Sequence, residues 1–521
     1  MSVRAKIRNW GRAVLVMSLC AVTGVPSAMA HVGSKDVFEE LNAGGYKLLV
    51  TVRMPTAIPG VAAVEVRAVE PSGDAIREIR ITPMPITGEA ANHPPTPDLM
   101  VRSKDDPDFY TGNLYMMATG SWEVRFQISG ASGDRTAAVA VPAVALSILK
   151  MEPWRAVLLS MLALLLLVGV AGIVAAAVRE SDLKPGAIAD ASRRRQGLIA
   201  GAITFVVMGL LLGSEMQWWY EAAAVYAGDI YKPLAVQPVL QGNVLDLHVS
   251  VFVSKSAASL GRSRLNSDFL PDHGHLMHLY MIREPEMDAV YHVHPDLVGP
   301  GDFRLRLPTM PAGEYKLYGD VVHANGFPET LLATINVPAG MQGSAPGPDD
   351  AAATPPPLSA GMLGSWCALP DGYSMVWDRP QDVDKPLVGN APQALTAGTA
   401  YIFHFALLDA KGRPAGDVVP YMGMAGHAAF VKTDGTVFAH THPEGSASMA
   451  AMMLANGSNS SDMSGDMAGM PMNMPMAAPS EIIPNTVEFP YGFPTPGRYR
   501  IFIQMKHGGT IETGTFDAVV Q

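Results

Sequence analysis

The chain has 521 residues, 37 of them basic and 48 acidic, giving a formal net charge of −11, and it has two cysteines. An acidic balance of this size argues against a nucleic-acid partner, which would need cations to neutralise its phosphates. With one of the two cysteines in the N-terminal leader, no intramolecular disulfide framework is left to staple the fold.

Residues 1–30 read as an export signal peptide. Arg4, Lys6, Arg8 and Arg12 make a basic start, "AVLVMSLCAVTGV" is a short apolar core, and Ala28-Met29-Ala30 is a small-x-small cleavage site. Cleavage there removes Cys20 and four basic residues, so the mature chain carries −15 and a single cysteine, Cys367. His31 then becomes the N-terminus, where an amine and an imidazole are offered together to one copper ion. Residues 31–150 alternate apolar and polar positions, as in "AAVEVRAVE", and are expected to form an exported β-sandwich.

Two segments are long enough to cross a membrane. Residues 156–178 carry no charge, and residues 197–220 run from an apolar stretch past Glu215 into Trp218, Trp219 and Tyr220, an aromatic cluster suited to an interface. The loop between them, 179–196, holds Arg179, Lys184 and Arg193–Arg195. Basic loops stay in the cytoplasm, so the flanking regions are expected on the periplasmic side of a bacterial inner membrane.

A second β-sandwich is expected over 235–340. It contains "HGHLMH" with His273, His275 and His278, then "VYHVHP" with His292 and His294, and "GEYKLYGDVVH" ending at His323. Residues 341–365 are rich in Pro, Ala and Gly and read as a linker. A third β-sandwich, 366–521, repeats the pattern with His427, with His440 and His442 in "VFAHTHP", and with His507 closing "GRYRIFIQMKH". Gly120, Gly313 and Gly497 each open an alternating strand that a further strand follows, so one scaffold recurs three times. Two antiparallel sheets packed as an immunoglobulin-like sandwich suit such hairpins. The fold class is mainly β: three exported modules anchored by two transmembrane helices.

The stretch "PYMGMAGHAAFVKTDGTVFAHTHP" and the opening "HVGSKDVFEELNAGGYKLLVTVRMPTAIPGVAAVEV" carry a resemblance. Together with the two helices they resemble a bacterial membrane-anchored family whose exported domains are YtkA/FixH-like or carry F-x-H-x-H-P on an immunoglobulin-like sandwich. The resemblance implies fold and location rather than chemistry.

Side chains at i and i+2 of a strand share a face, so each His-x-His pair points one way. Such a pair is either a metal claw suited to Cu(II), Zn or Ni, or a hydrogen-bonded packing pair. In the third module His440 and His442 are the expected ligands, with His427 or His507 completing the site. Residues 449–476 read as a mobile Met-rich loop inserted between strands. Its Met463, Met467, Met470, Met472, Met474 and Met476 are soft thioethers that favour Cu(I). There is no HExxH, G-x-S-x-G or phosphate-binding glycine loop, so no enzymatic activity is expected. Cys367 stands outside the histidine framework, which argues against a blue-copper site. The expected function is copper handling, tolerance or delivery at the membrane, together with a copper transporter or an oxidase assembly factor. The alternative is a metal-free scaffold that docks on a membrane complex.

Overall fold

The structure is a computed structural model and describes residues 36–69, 76–181, 183–184, 186–228, 230–252, 264–378, 395–457 and 481–521. The leader, His31 and Met463–Met476 of the sequence reading lie outside the described residues.

Each β module is a pair of antiparallel sheets closed over its own apolar core. In the first, Val37–Ala43, Tyr46–Arg53, Gly60–Ala68 and Phe109–Met116 face a sheet built on Ile76–Pro85, Gly120–Gly130 and Arg135–Ala143. The triplicated strands are equivalent. Gly120–Gly130, Gly313–His323 and Gly497–His507 each pair along their length with the next strand. Their opening glycines share φ values of 139°, 146° and 144°, a conformation that side-chain-bearing residues rarely adopt.

Two helices, Pro153–Glu180 and Ala191–Gly228, are long and apolar enough to cross a membrane. They extend beyond the expected spans at both ends, and Arg193–Arg195 lie at the start of the second helix instead of in a loop. The Asp190 carboxylate caps that helix by accepting from the Arg193 N–H at 2.8 Å. Gly197 and Gly201 face the first helix, and a Cβ at Gly197 would meet the Ala175 carbonyl at 2.6 Å. Small residues at such a crossing let two apolar helices pack closely.

The second and third modules are joined face to face. On His278–Glu284, Leu279 and Met281 enter the second module's core, whereas Tyr280 and Ile282 enter a separate apolar cluster. On His427–Lys432, Ala428 and Phe430 enter the third core, while Ala429 and Val431 join that same separate cluster. Both sheets are therefore buried on both faces. This explains why these strands read as continuous apolar runs instead of alternating ones.

Two segments differ from the sequence reading. The 341–365 stretch is not a free linker: Ala351–Ala353 adds a strand beside Val290–Val293, with His292 opposite Ala351. The front of the Met-rich segment is not a loop, because Met449–Ala455 is a helix capped by Ser448. Met449, Ala450, Ala451, Met452, Leu454 and Ala455 are all buried. Small alanines let this helix lie close to Arg135–Ala143, where Asn456 exchanges hydrogen bonds with the Ala138 backbone at 2.9 and 3.0 Å. The first module is thereby docked on the third.

Candidate metal centre between the second and third modules

The two-residue period decides which histidines meet. His292 has the parity of Val290, and His440 has that of Phe438; both of those residues lie in the inter-module cluster. His278 shares parity with Tyr280, and His427 with Ala429. His292, His294, His440 and His442 therefore project into the interface with His278 and His427. A turn in the second module adds His273 and His275. Eight of the fourteen histidines form one contiguous cluster.

The rings of His292 and His294 stand 4.7 Å apart, and those of His440 and His442 4.8 Å apart. Two nests emerge. His273 reaches across the interface to His427 and His442, with ring centroids 5.2 and 4.6 Å away. His278, His292 and His294 form the second nest, where His278 Nδ1 and His292 Nε2 are 3.2 Å apart, and in each trio one ring nitrogen from each residue lies within 4.8 Å of the others. His278 and His440, with centroids 5.3 Å apart, connect the two.

Burial is the first cause holding His278, His292, His427 and His442 well below the usual imidazole range, and neighbouring histidines push in the same direction. His273 and His294 are lowered too, again chiefly by burial. These six imidazoles are neutral at pH 7, the form that offers a lone pair to a metal. Some nitrogens are already used. His278 Nε2 lies 2.9 Å from the Asp272 carbonyl, and His292 Nδ1 lies 2.8 Å from Gln504 Oε1. Others are not: both nitrogens of His273 and His427, and Nε2 of His294, His440 and His442, are buried without a hydrogen-bond partner. An orphaned buried polar atom costs about 1–3 kcal/mol. Five such residues in one cluster are unusual for packing alone.

Acidic and amide groups sit at the rim. His294 Nδ1 is 3.2 Å from Asp350, His440 Nδ1 is 3.3 Å from Asp320, and His275 Nε2 is 3.5 Å from Asp349. A cavity of about 120 Å³ where the three modules meet is lined by His278, His440, His442 and Asp320. It provides an approach from outside. Three neutral imidazoles per nest, with carboxylates outside them, suit copper or zinc.

His323 and His507 are not in this centre. On their strands Tyr315, Leu317 and Val321, and Tyr499, Ile501, Ile503 and Met505, enter the module cores. The histidines share that parity and point to the opposite face of the sheet. The alternative in which His507 completes the site is corrected on this ground, and counting in twos along "GRYRIFIQMKH" would have found it. Sequence reading also missed Gln504 and Asp320, which occupy equivalent repeat positions opposite His427 and His278. Tyr421 was missed as well; its hydroxyl donates to the Asp349 carbonyl at 2.7 Å.

The family model for a domain of unknown function (DUF8832) matches residues 253–339 and 381–521, most of the second and third modules. No YtkA/FixH-like match accompanies it. No curated protein matches the chain in sequence. Among solved structures, native E. coli alpha-2-macroglobulin is 9% identical over 92% of this chain and 23% of its own, with a TM-score of 0.20. This chain thus spans about a quarter of that protein's length. The FN1–FN3 domains of chicken CNTN1 are 7% identical over 90% of this chain and 97% of theirs, with a TM-score of 0.13. A protein from Corynebacterium diphtheriae described as membrane anchored is 9% identical over 93% and 94%, with a TM-score of 0.14. None of these scores reaches the level at which a shared fold is inferred.

Proposed function

We propose that the protein is a membrane-anchored copper-binding protein that holds the ion between its second and third modules on the periplasmic side of a bacterial inner membrane. The observation that carries this reading is the buried, neutral, partly unpartnered imidazole cluster contributed by both modules. Copper is favoured over zinc because nitrogen sites bind Cu(II) more tightly than the other divalent first-row ions. Thioethers at Met463, Met467, Met470, Met472, Met474 and Met476 would supply soft ligands for Cu(I) on the way in. Their segment leaves the described chain just beyond the helix whose Ala451 lines the cavity. His31 at a processed N-terminus would be a separate copper ligand. Delivery to a copper transporter or an oxidase assembly factor fits such a carrier, as does the resemblance to YtkA/FixH-like exported domains.

A second reading is a metal-free scaffold docking on a membrane complex. It is favoured by the hydrogen bonds of His278 and His292, which pin the Asp272 turn and Gln504 across the interface. Copper titration of the detergent-purified full chain separates the two. Under the first reading, His427→Gln with His442→Gln lowers affinity at least tenfold while the fold persists. Unchanged copper binding in a folded double variant would favour the scaffold. Orientation is checked by a phosphatase fusion after Gly228, active if that end is periplasmic, and one at Ala189, inactive if the loop is cytoplasmic.

A further inference from the structure

His323 and His507 occupy equivalent positions, yet their surroundings have diverged. In the second module His323 Nδ1 lies 2.9 Å from Asp268 and Nε2 lies 3.0 Å from Glu329. Glu329 also pairs with Arg264 and accepts from the Leu234 N–H at 2.9 Å. An internal guanidinium thus neutralises Glu329, one of the two acids.

The third module keeps the acids and loses the cation. Asp417 precedes the strand residue paired with His507, just as Asp268 precedes the one paired with His323. Glu512 lies opposite Met505, as Glu329 lies opposite Val321. In place of an arginine there is another carboxylate, Asp371, whose Oδ2 is 2.8 Å from His507 Nε2. Among the described residues no lysine or arginine forms an ion pair with Asp371, Asp417 or Glu512.

The histidine is built in. Its side chain is 7% exposed and its ring stacks on Tyr373 with centroids 3.9 Å apart. Asp417 engages Nδ1 at 3.3 Å, leaving Nε2 to face the other two acids without a hydrogen bond of proper geometry. A carboxylate on one imidazole nitrogen with a metal on the other is a recurrent arrangement, because the carboxylate fixes the tautomer. Ligand atoms of Asp371, His507 and Glu512 lie within 4.8 Å of one another.

We propose that Asp371, His507 and Glu512 bind a divalent cation of the manganese or zinc class, oriented by Asp417, at the place that Arg264 fills in the second module. Two oxygens and one nitrogen suit these ions better than Cu(I). The site is on the opposite face of the sheet from the histidine centre and does not depend on copper being bound there.

The test is Mn2+ binding to the chelator-stripped full chain in detergent, read by paramagnetic resonance, with Zn2+ as competitor. One Mn2+ should bind and be displaced by Zn2+. Glu512→Gln and Asp371→Asn should each weaken it at least tenfold, and His292→Gln in the histidine centre should leave it unchanged. Removing a crowded carboxylate should leave Glu512→Gln at least as stable as the unsubstituted chain without metal, and Mn2+ should raise the melting temperature of the latter alone. Failure of the full chain to bind either ion, or equal binding by folded Glu512→Gln, would overturn the proposal.

Discussion

Arg500 is a fully buried cation at the inter-module face, with Asp517 on its own sheet at 2.9 and 3.1 Å. Its remaining N–H groups cross to the second module and the segment after it, donating to the Met287 carbonyl at 3.0 Å and the Pro356 carbonyl at 2.8 Å. Burial alone would raise the Asp517 carboxyl, but the arginine hydrogen bonds hold it below the usual range. Breaking a buried pair by deleting one partner costs about 3–5 kcal/mol. Arg498, 2.7 Å from the same carboxylate, should keep Arg500→Met near the low end of that range. Thermal melts measure the loss, and copper affinity should fall with it because the histidine nests need both modules in register. A loss below about 1 kcal/mol would show the interface to be held by its apolar cluster alone. Nothing in "GRYRIFIQMKH" marks Arg500 as buried, since an arginine on an alternating strand reads as solvent-facing. The His-x-His pairs were legible because strand period alone fixes their direction. That the two pairs confront each other was not, because it depends on which sheet faces pack.

At the level of elements, the Met449–Ala455 helix changes what a deletion should do. Read as a mobile loop, residues 449–476 could be removed with little effect on melting. The helix instead packs on the first module's core through Ala451, Met452 and Ala455. Its Ala450 N–H donates to the Asp272 carboxylate at 2.9 Å, beside the histidine turn. Deleting 449–457 should therefore lower the melting temperature and increase proteolysis between the first and third modules. Deleting 460–476 should leave melting nearly unchanged and lower Cu(I) stoichiometry. Equal melting of the two deletions would contradict the docking role. "MAAMML" consists of strong helix formers, but the Gly, Ser, Asn and Pro that follow it masked so short a run, and its partner surface lies over 300 positions away. The membrane helices needed no partner to be recognised, since about 20 uninterrupted apolar residues are informative in themselves.

For the whole molecule the histidine centre sets an acid limit. His273, His278, His292, His294, His427 and His442 all have folded values below the ordinary 6.5, with burial the first cause. Below pH 6.5 the unfolded chain binds protons that the folded chain refuses, so their stabilisation is complete above that pH and lost as pH falls. Each fully excluded proton costs about 1.4 kcal/mol per pH unit. Groups with raised values act in the opposite sense. Glu39 is buried and raised well above the carboxylate range, Glu512 is pushed up to about 7 by burial, and His323 is raised by its two acids against the pull of burial. They contribute stability at low pH that is lost as pH rises through their folded values. Glu123, Glu284 and Glu444 are raised by burial as well, but of the raised groups only Glu39 and Glu512 are shifted far, against four of the six histidines, so the metal-free protein should melt at lower temperature at pH 5.5 than at pH 7.5. His427→Gln with His442→Gln should flatten the slope. Copper should steepen it, because protons and metal compete for the same lone pairs. Melting curves recorded with chelator and then with copper across this range give all three slopes. A metal-free protein equally stable at both pH values would mean that the nests are hydrated and titrate like exposed imidazoles, and the argument from buried neutral rings would fall with them.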